Sequence, residues 1–265
     1  HLYARRQRQM CIRDRPETTL NILLCLNLSR IDVEFSMHSL LLNLLIRLLF
    51  IDITQKVKYR KKIGNIYIKM KNDNTTSFLG ESDRDSFQSF TELFEGVEAF
   101  MGYLPNAHIL MAEKPELLVA FSQLASNIFQ SQEIDLQTKQ LIALASSISS
   151  GCKYCQAHTS HGADRAGVDV KKISEILNYT DSSYYTQKEK AVLDLAFAAG
   201  KTPNSSSQKH FDNLKKYYSK GQILDIVSVI SLFGYLNRWN DTLGTALEDV
   251  PDEFVEKQLK PLGWI

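Results

Sequence analysis

Two thiols and two imidazoles fall within one short stretch of this chain, Gly151-Cys152-Lys153-Tyr154-Cys155-Gln156-Ala157-His158-Thr159-Ser160-His161. Cysteines at i and i+3 of a helix are neighbours on one turn, so either sulfur can attack the other after oxidation. His158, three residues beyond Cys155, shares that face and can take a proton. In a first helical turn, unpaired amides and the helix dipole favour negative charge, so the thiol pKa is expected to fall toward the reactive range. The chemistry these residues suggest is a dithiol–disulfide cycle.

Other uses of a Cys-x-x-Cys pair fit this context less well. Covalent haem attachment needs a histidine directly after the second cysteine, where Gln156 stands. A thioredoxin-like motif belongs after a strand, whereas a helical pattern precedes this one. Cys152, Cys155, His158 and His161 are four zinc donors by type. Steps of three on a continuous helix rotate backwards by about 60°, so His161 lies opposite Cys152, the four cannot surround one ion, and no metal or other cofactor is expected. The plainer alternatives are two small buried thiols in a helix contact and histidines with no catalytic role. Tyr235 and Trp239 read as core aromatics.

The elements that must position these residues are helical. From Asp83 onward apolar residues recur every three or four positions, and no alternating run bounded by turn signals appears. Phe87, Phe90, Phe94, Val97 and Met101 form one stripe, broken by Gly102 and Pro105. A second helix is expected over 107–130, starting or kinking at Pro115. Asp135 can cap a third, with Leu136, Leu141, Leu144, Ala145 and Ile148 as its stripe. Ser149-Ser150-Gly151 interrupts it, and a helix from Cys152 to about Ala166 carries the thiols. Further helices are expected over 170–177, 187–199, 206–218 and 221–247, with an irregular tail after Pro251. The fold class is all-α, a helical bundle.

The chain has 265 residues and a formal net charge of +1, which hides an asymmetry. Residues 1–69 hold 13 of its 31 basic and 5 of its 30 acidic residues, leaving 18 basic against 25 acidic in the remainder. Met10-Cys11-Ile12-Arg13-Asp14-Arg15 looks like translated adapter sequence, and the stretch to residue 69 like translated upstream sequence. Residues 1–69 are therefore read as a non-native or disordered extension and 70–265 as the helical domain. No nucleic-acid role is assigned to the basic arm. The aliphatic run from Ser39 to Ile51 is shorter than the roughly 20 residues a span needs and contains Arg47, so no membrane association is expected. The N-terminal residues do not resemble a signal peptide, and a cytoplasmic location follows. With Cys11 and Cys25 set aside, one cysteine pair in a reducing compartment points to catalysis rather than a disulfide scaffold.

Together, the glycine, the Cys-x-Tyr-Cys pair, the following histidine and Gly167 resemble the alkylhydroperoxidase D and carboxymuconolactone decarboxylase family. The segment Phe233-Gly234-Tyr235-Leu236-Asn237-Arg238-Trp239-Asn240-Asp241-Thr242-Leu243-Gly244 is similar to that family's long late helix. The resemblance spans about Phe87 to Pro251. It implies a thiol peroxidase in which Cys155 is the peroxidatic thiolate and Cys152 the resolving thiol. It also implies a proton relay from a glutamate twelve residues before the first cysteine and a histidine four after the second. Here those places hold Gln140 and Thr159. Gln140 can orient a group or water but cannot accept a proton at neutral pH. His158 becomes the substitute base, with Tyr154, Gln140 and His161 as further relay candidates.

Further implications of the resemblance are a hydroperoxide substrate, a thioredoxin-like or lipoyl-bearing protein as reductant, and a trimer-based homo-oligomer. Two other readings stand beside the peroxidase. One is a non-catalytic thiol redox sensor, supported by the missing glutamate at position 140. The other is decarboxylase or lactone chemistry, which has no evident use for the two thiols.

Overall fold

The computed structural model describes residues 75–264, all within the unit Gly64–Ile265. The extension over 1–69, the apolar run 39–51, Cys11 and Cys25 lie outside the described residues. Among those described, no strand forms. No helix there is long and apolar enough to cross a membrane.

The described residues form ten α-helices in order: α1 Thr91–Met101, α2 Asn106–Ala112, α3 Pro115–Gln130, α4 Leu136–Ser150, α5 Lys153–Arg165, α6 Val170–Ser174, α7 Gln187–Ala199, α8 Gln208–Leu214, α9 Lys220–Leu243 and α10 Asp249–Phe254. The first stripe is split: residues 84–90 form a 3₁₀ segment with Phe87 at φ −119°, ψ 49°, and α1 begins at Thr91. The expected 107–130 helix divides where Pro115 takes the first position of α3, the place where its missing N–H costs nothing.

Helix α4 is the axis of the bundle and packs against α5, α7 and α9. Every residue from Lys139 to Ser147 is buried. Such a helix is covered all round rather than along one stripe, which is why its apolar pattern reads weakly. Asp135 caps it, accepting from Thr138 N at 2.8 Å. Lys139 is tolerated inside because its ammonium donates to the carbonyls of Phe129 and Ser131 at the end of α3. Ile142, Leu144, Ile173, Leu193, Leu195 and Ile226 form the heart of the main core. Each such side chain contributes roughly 1.5–3 kcal/mol by leaving water.

Two details bring the site together. Gly151 at φ +83° ends α4 and turns the chain straight into α5, a conformation costly for any residue with a Cβ. Gly244 at φ +57° ends α9 three residues before the predicted end. The following turn is held by Ala246 N to Thr76 O at 2.9 Å and by Asn106 Nδ2 to Ala246 O at 2.9 Å. The tail expected to be irregular instead forms α10, continued by a wider turn over 255–259. Buried Pro251, Phe254 and Leu259 anchor it, a tertiary gain that local propensity does not register.

Candidate active site

Cys152 is the N-cap of α5: its Sγ accepts from Cys155 N at 3.4 Å. Cys155 follows in the first turn, and both are free thiols and buried, at 0% and 2% exposure. The expected lowering by the helix start does not hold for Cys152. The hydrogen bond with Cys155 and burial push its pKa up instead, so it keeps its proton. Asn240 on α9 donates to Cys155 Sγ at 3.4 Å. Its neighbour Asp241 is close enough to Cys152 for each to bear on the other's protonation, and burial raises its own pKa.

The structure gives His158 different partners from those anticipated. It is buried in α5, with Nδ1 2.9 Å from Tyr103 Oη and Nε2 2.6 Å from Glu248 Oε2. With a neutral ring, Tyr103 donates to Nδ1 and Nε2–H donates to the carboxylate. Tyr154 stacks on the imidazole with ring centroids 4.0 Å apart. Its hydroxyl donates to Glu248 Oε1 at 2.8 Å, and Asn106 N donates to the same oxygen at 2.5 Å. Burial raises the Tyr103 and Tyr154 pKa values, with the Glu248 charge adding to both, so both stay phenols. The Cys155 charge also acts on Tyr103, placing the phenol within electrostatic reach of the sulfur.

Of the other candidates, Gln140 lies against Gly162, where an added Cβ would sit 2.7 Å from its Oε1. Thr159 spends its hydroxyl on the Cys155 carbonyl at 2.6 Å. His161 turns from the thiols toward Tyr103 and Phe254, with centroids at 5.7 and 5.6 Å. Burial lowers its pKa, and Arg165 lowers it further. Among the described residues, no three of His, Cys, Asp and Glu converge as a metal set.

Four contributors escaped sequence reading: Tyr103, Asn240, Asp241 and Glu248. The polar pair Asn240-Asp241 within an apolar helix was a usable signal. Nothing around Tyr103 or Glu248 was, since each enters from a loop far away in the chain.

Cys155, His158, Gln140, Tyr154, Thr159 and His161 all border one cavity of about 640 Å³. Most of its wall is apolar, including Phe100, Phe121, Phe129, Phe233 and Leu236. Cys155 thus borders a space large enough for a small organic molecule, with the mostly apolar lining such sites have.

Residues 115–198 match the model of the carboxymuconolactone decarboxylase family. The apo crystal structure of the debrominase Bmp8 is 34% identical, with a TM-score of 0.63 over 66% of this chain and 94% of Bmp8. A Bmp8 variant has been solved in complex with 2,3,4-tribromopyrrole. An uncharacterized peroxidase-related protein of Ralstonia eutropha JMP134, described as an alkylhydroperoxidase AhpD core, shares the fold at 19% identity, with a TM-score of 0.56 over 63% of this chain and 88% of that one. YdfG of Bacillus subtilis (strain 168) is 27% identical over 109 residues, 40% of this chain and 71% of YdfG.

Proposed function

Because this chain belongs to the carboxymuconolactone decarboxylase family and has the alkylhydroperoxidase D-like fold, we propose that it is a dithiol-dependent peroxidase that reduces small organic hydroperoxides. The observation that carries this reading is the position of Cys155: on the wall of an apolar cavity, one turn from Cys152, beside the Glu248–His158–Tyr103 chain.

The Cys155 thiolate attacks the outer peroxide oxygen, the O–O bond breaks, and the alkoxide leaves with a proton. That proton is the one Cys155 gave up: it passes through Tyr103 to His158, whose cationic form Glu248 stabilises, and returns by the same path to the alkoxide. Cys155 is now a sulfenic acid. Cys152 sulfur then attacks it, water leaves with the thiol proton, and an S–S bond forms. One dithiol and one hydroperoxide give one disulfide, one alcohol and one water. Asn240 steadies the Cys155 sulfur, and Asp241 takes the Cys152 proton as that sulfur attacks and passes it to the departing water. With both sulfurs buried, a slender lipoyl arm entering through the cavity suits regeneration better than the surface of a folded thioredoxin-like protein. A homo-oligomer, trimer-based, belongs to the same reading.

A second reading is supported by the one-third identity with Bmp8 over nearly its whole length and by the aromatic cavity wall. In it the same dithiol reduces a brominated aromatic: Cys155 takes bromine from carbon, the carbon gains a proton, and Cys152 displaces bromide to form the disulfide. Decarboxylation and a purely sensory role leave the cavity or the thiols without a use.

The deciding experiment adds one equivalent of cumene hydroperoxide, or of a bromopyrrole, to reduced protein and follows intact mass and products. Loss of two hydrogens with matched alcohol supports the peroxidase. Loss of two hydrogens only with the bromopyrrole, with free bromide, transfers the assignment to dehalogenation. No mass change with either overturns both.

A further inference from the structure

The cavity beside Cys155 has a direction. Along α5 it is lined by Cys155, Thr159 and Gly162 and then by the capping residue Ala166, positions that share one face of a helix. Its Cys155 end is buried, that residue being only 2% exposed. At the other end Gln130, Leu136 and Arg165 all lie on the wall and are exposed, so the cavity meets water there. Between the two ends the wall is apolar, and Phe100 and Phe129 pack with ring centroids 5.7 Å apart.

The charge on this wall is equally one-sided. Among its described residues there is no Asp, Glu or Lys, and Arg165 is the one permanent charge. His161 adds no second cation, since burial lowers its pKa and Arg165 lowers it further. The Arg165 guanidinium donates through Nη2 to the carbonyls of Ala99 and Phe100, at 3.4 and 3.3 Å. Nη1 and Nε carry three further N–H groups, on a side chain that is open to solvent.

We infer that the cavity takes a chain-like hydroperoxide with a carboxylate at its far end: Arg165 holds the carboxylate at the mouth while the apolar chain runs along α5 and brings the peroxide to Cys155. This rests on the reading of the cavity as the substrate site of the thiol pair, and it makes Arg165 the residue that selects the substrate.

The helix sets the length. Arg165 follows Cys155 by ten residues of α5, about 15 Å along its axis. An extended chain advances about 1.2 Å per bond, as an extended peptide does over its three bonds per residue, so about twelve bonds separate the two groups. A planar carboxylate matches the guanidinium fork. At exposed Arg165 it stays partly in water and escapes the cost of burying an anion, while the chain loses apolar surface to Phe100 and Phe129.

The test follows disulfide formation in the reduced full chain by stopped flow, with 12-hydroperoxydodecanoate and with its methyl ester, which has the same chain without the charge. The wild type is expected to half-saturate at about tenfold lower concentration of the acid. In Arg165→Gln the acid and the ester should converge to within about twofold. Arg165→Lys, which keeps the charge but not the fork, should fall between. The acid-to-ester ratio is insensitive to a general loss of activity, so a loosened end of α1 does not mimic this result. With 6-hydroperoxyhexanoate, too short to reach both groups, acid and ester should not differ. No preference in the wild type, a preference that survives Arg165→Gln, or an equal preference with the short chain overturns the inference. Cumene hydroperoxide, which has no carboxylate, reports the thiol reading separately: if it oxidises the dithiol while acid and ester are treated alike, that reading stands and only this one fails.

Discussion

Glu248 Oε2 lies 2.6 Å from His158 Nε2, joining a side chain of the turn after α9 to the middle of α5 across 90 positions of sequence. Gln140, on α4, stands where the resemblance implies a glutamate, and in the proposed mechanism the carboxylate is Glu248. The proposed relay thus draws its carboxylate from another element, and the second oxygen of Glu248 is tied to Tyr154 and Asn106. The absence of a glutamate at position 140 no longer argues for a purely sensory role.

Glu248→Gln keeps the shape of that side chain and its acceptor toward Tyr154 and Asn106 but removes the charge facing His158. The rate of disulfide formation with hydroperoxide is expected to fall about 10²-fold, the low end for loss of general acid–base assistance. Tyr103→Phe should produce a loss of similar size. Stopped-flow measurement of both, with thermal melting to confirm the fold, checks the relay.

The two cysteines should respond differently to substitution. In Cys152→Ser, Cys155 still reacts once, and its sulfenic acid accumulates where a dimedone adduct can be seen by mass. In Cys155→Ser no adduct forms, because the remaining thiol is fully buried and does not border the cavity. Equal labelling of the two variants would exchange or abolish the assigned roles.

Gln140→Glu restores the residue of the related pattern, yet it is not expected to restore anything. His158 already has its carboxylate, so turnover should stay within about twofold, while a new buried acid without a cation lowers stability by about 1–3 kcal/mol. Urea unfolding at pH 7.5 measures the cost. A large gain in rate would show that Gln140, not Glu248, occupies the catalytic position.

Acid should weaken the fold through His108. Its folded pKa, about 4, lies below the ordinary value of 6.5, so below 6.5 the unfolded chain takes up the proton that the folded chain resists. The stabilising contribution is complete above pH 6.5 and is lost as pH falls toward 4, by up to about 1.4 kcal/mol per pH unit. Half-buried His161 acts in the same direction. Unfolding midpoints between pH 4.5 and 7.5 should show this slope, and His108→Phe should flatten it.

What the sequence determined by itself was local. The i, i+3 spacing of Cys152 and Cys155 places two sulfurs on one turn wherever a helix forms, and Asp135, Pro115 and Gly151 mark helix ends because capping, a missing N–H and a positive φ are properties of single residues. The all-helical class followed from periodicity, and the family from motifs carried within continuous segments.

Only the tertiary structure decided the rest. Glu248 meets His158 and Asn240 meets Cys155 because α5 packs against both α10 and α9, and no spacing rule connects positions so far apart. The same packing buries Cys152 and raises its pKa where the helix start alone would lower it, since desolvation and a neighbouring thiol outweigh a dipole near the end of a single helix. It also folds the tail that reads as irregular, because burying Phe254 and Leu259 against the bundle is a gain that exists only once the bundle is there.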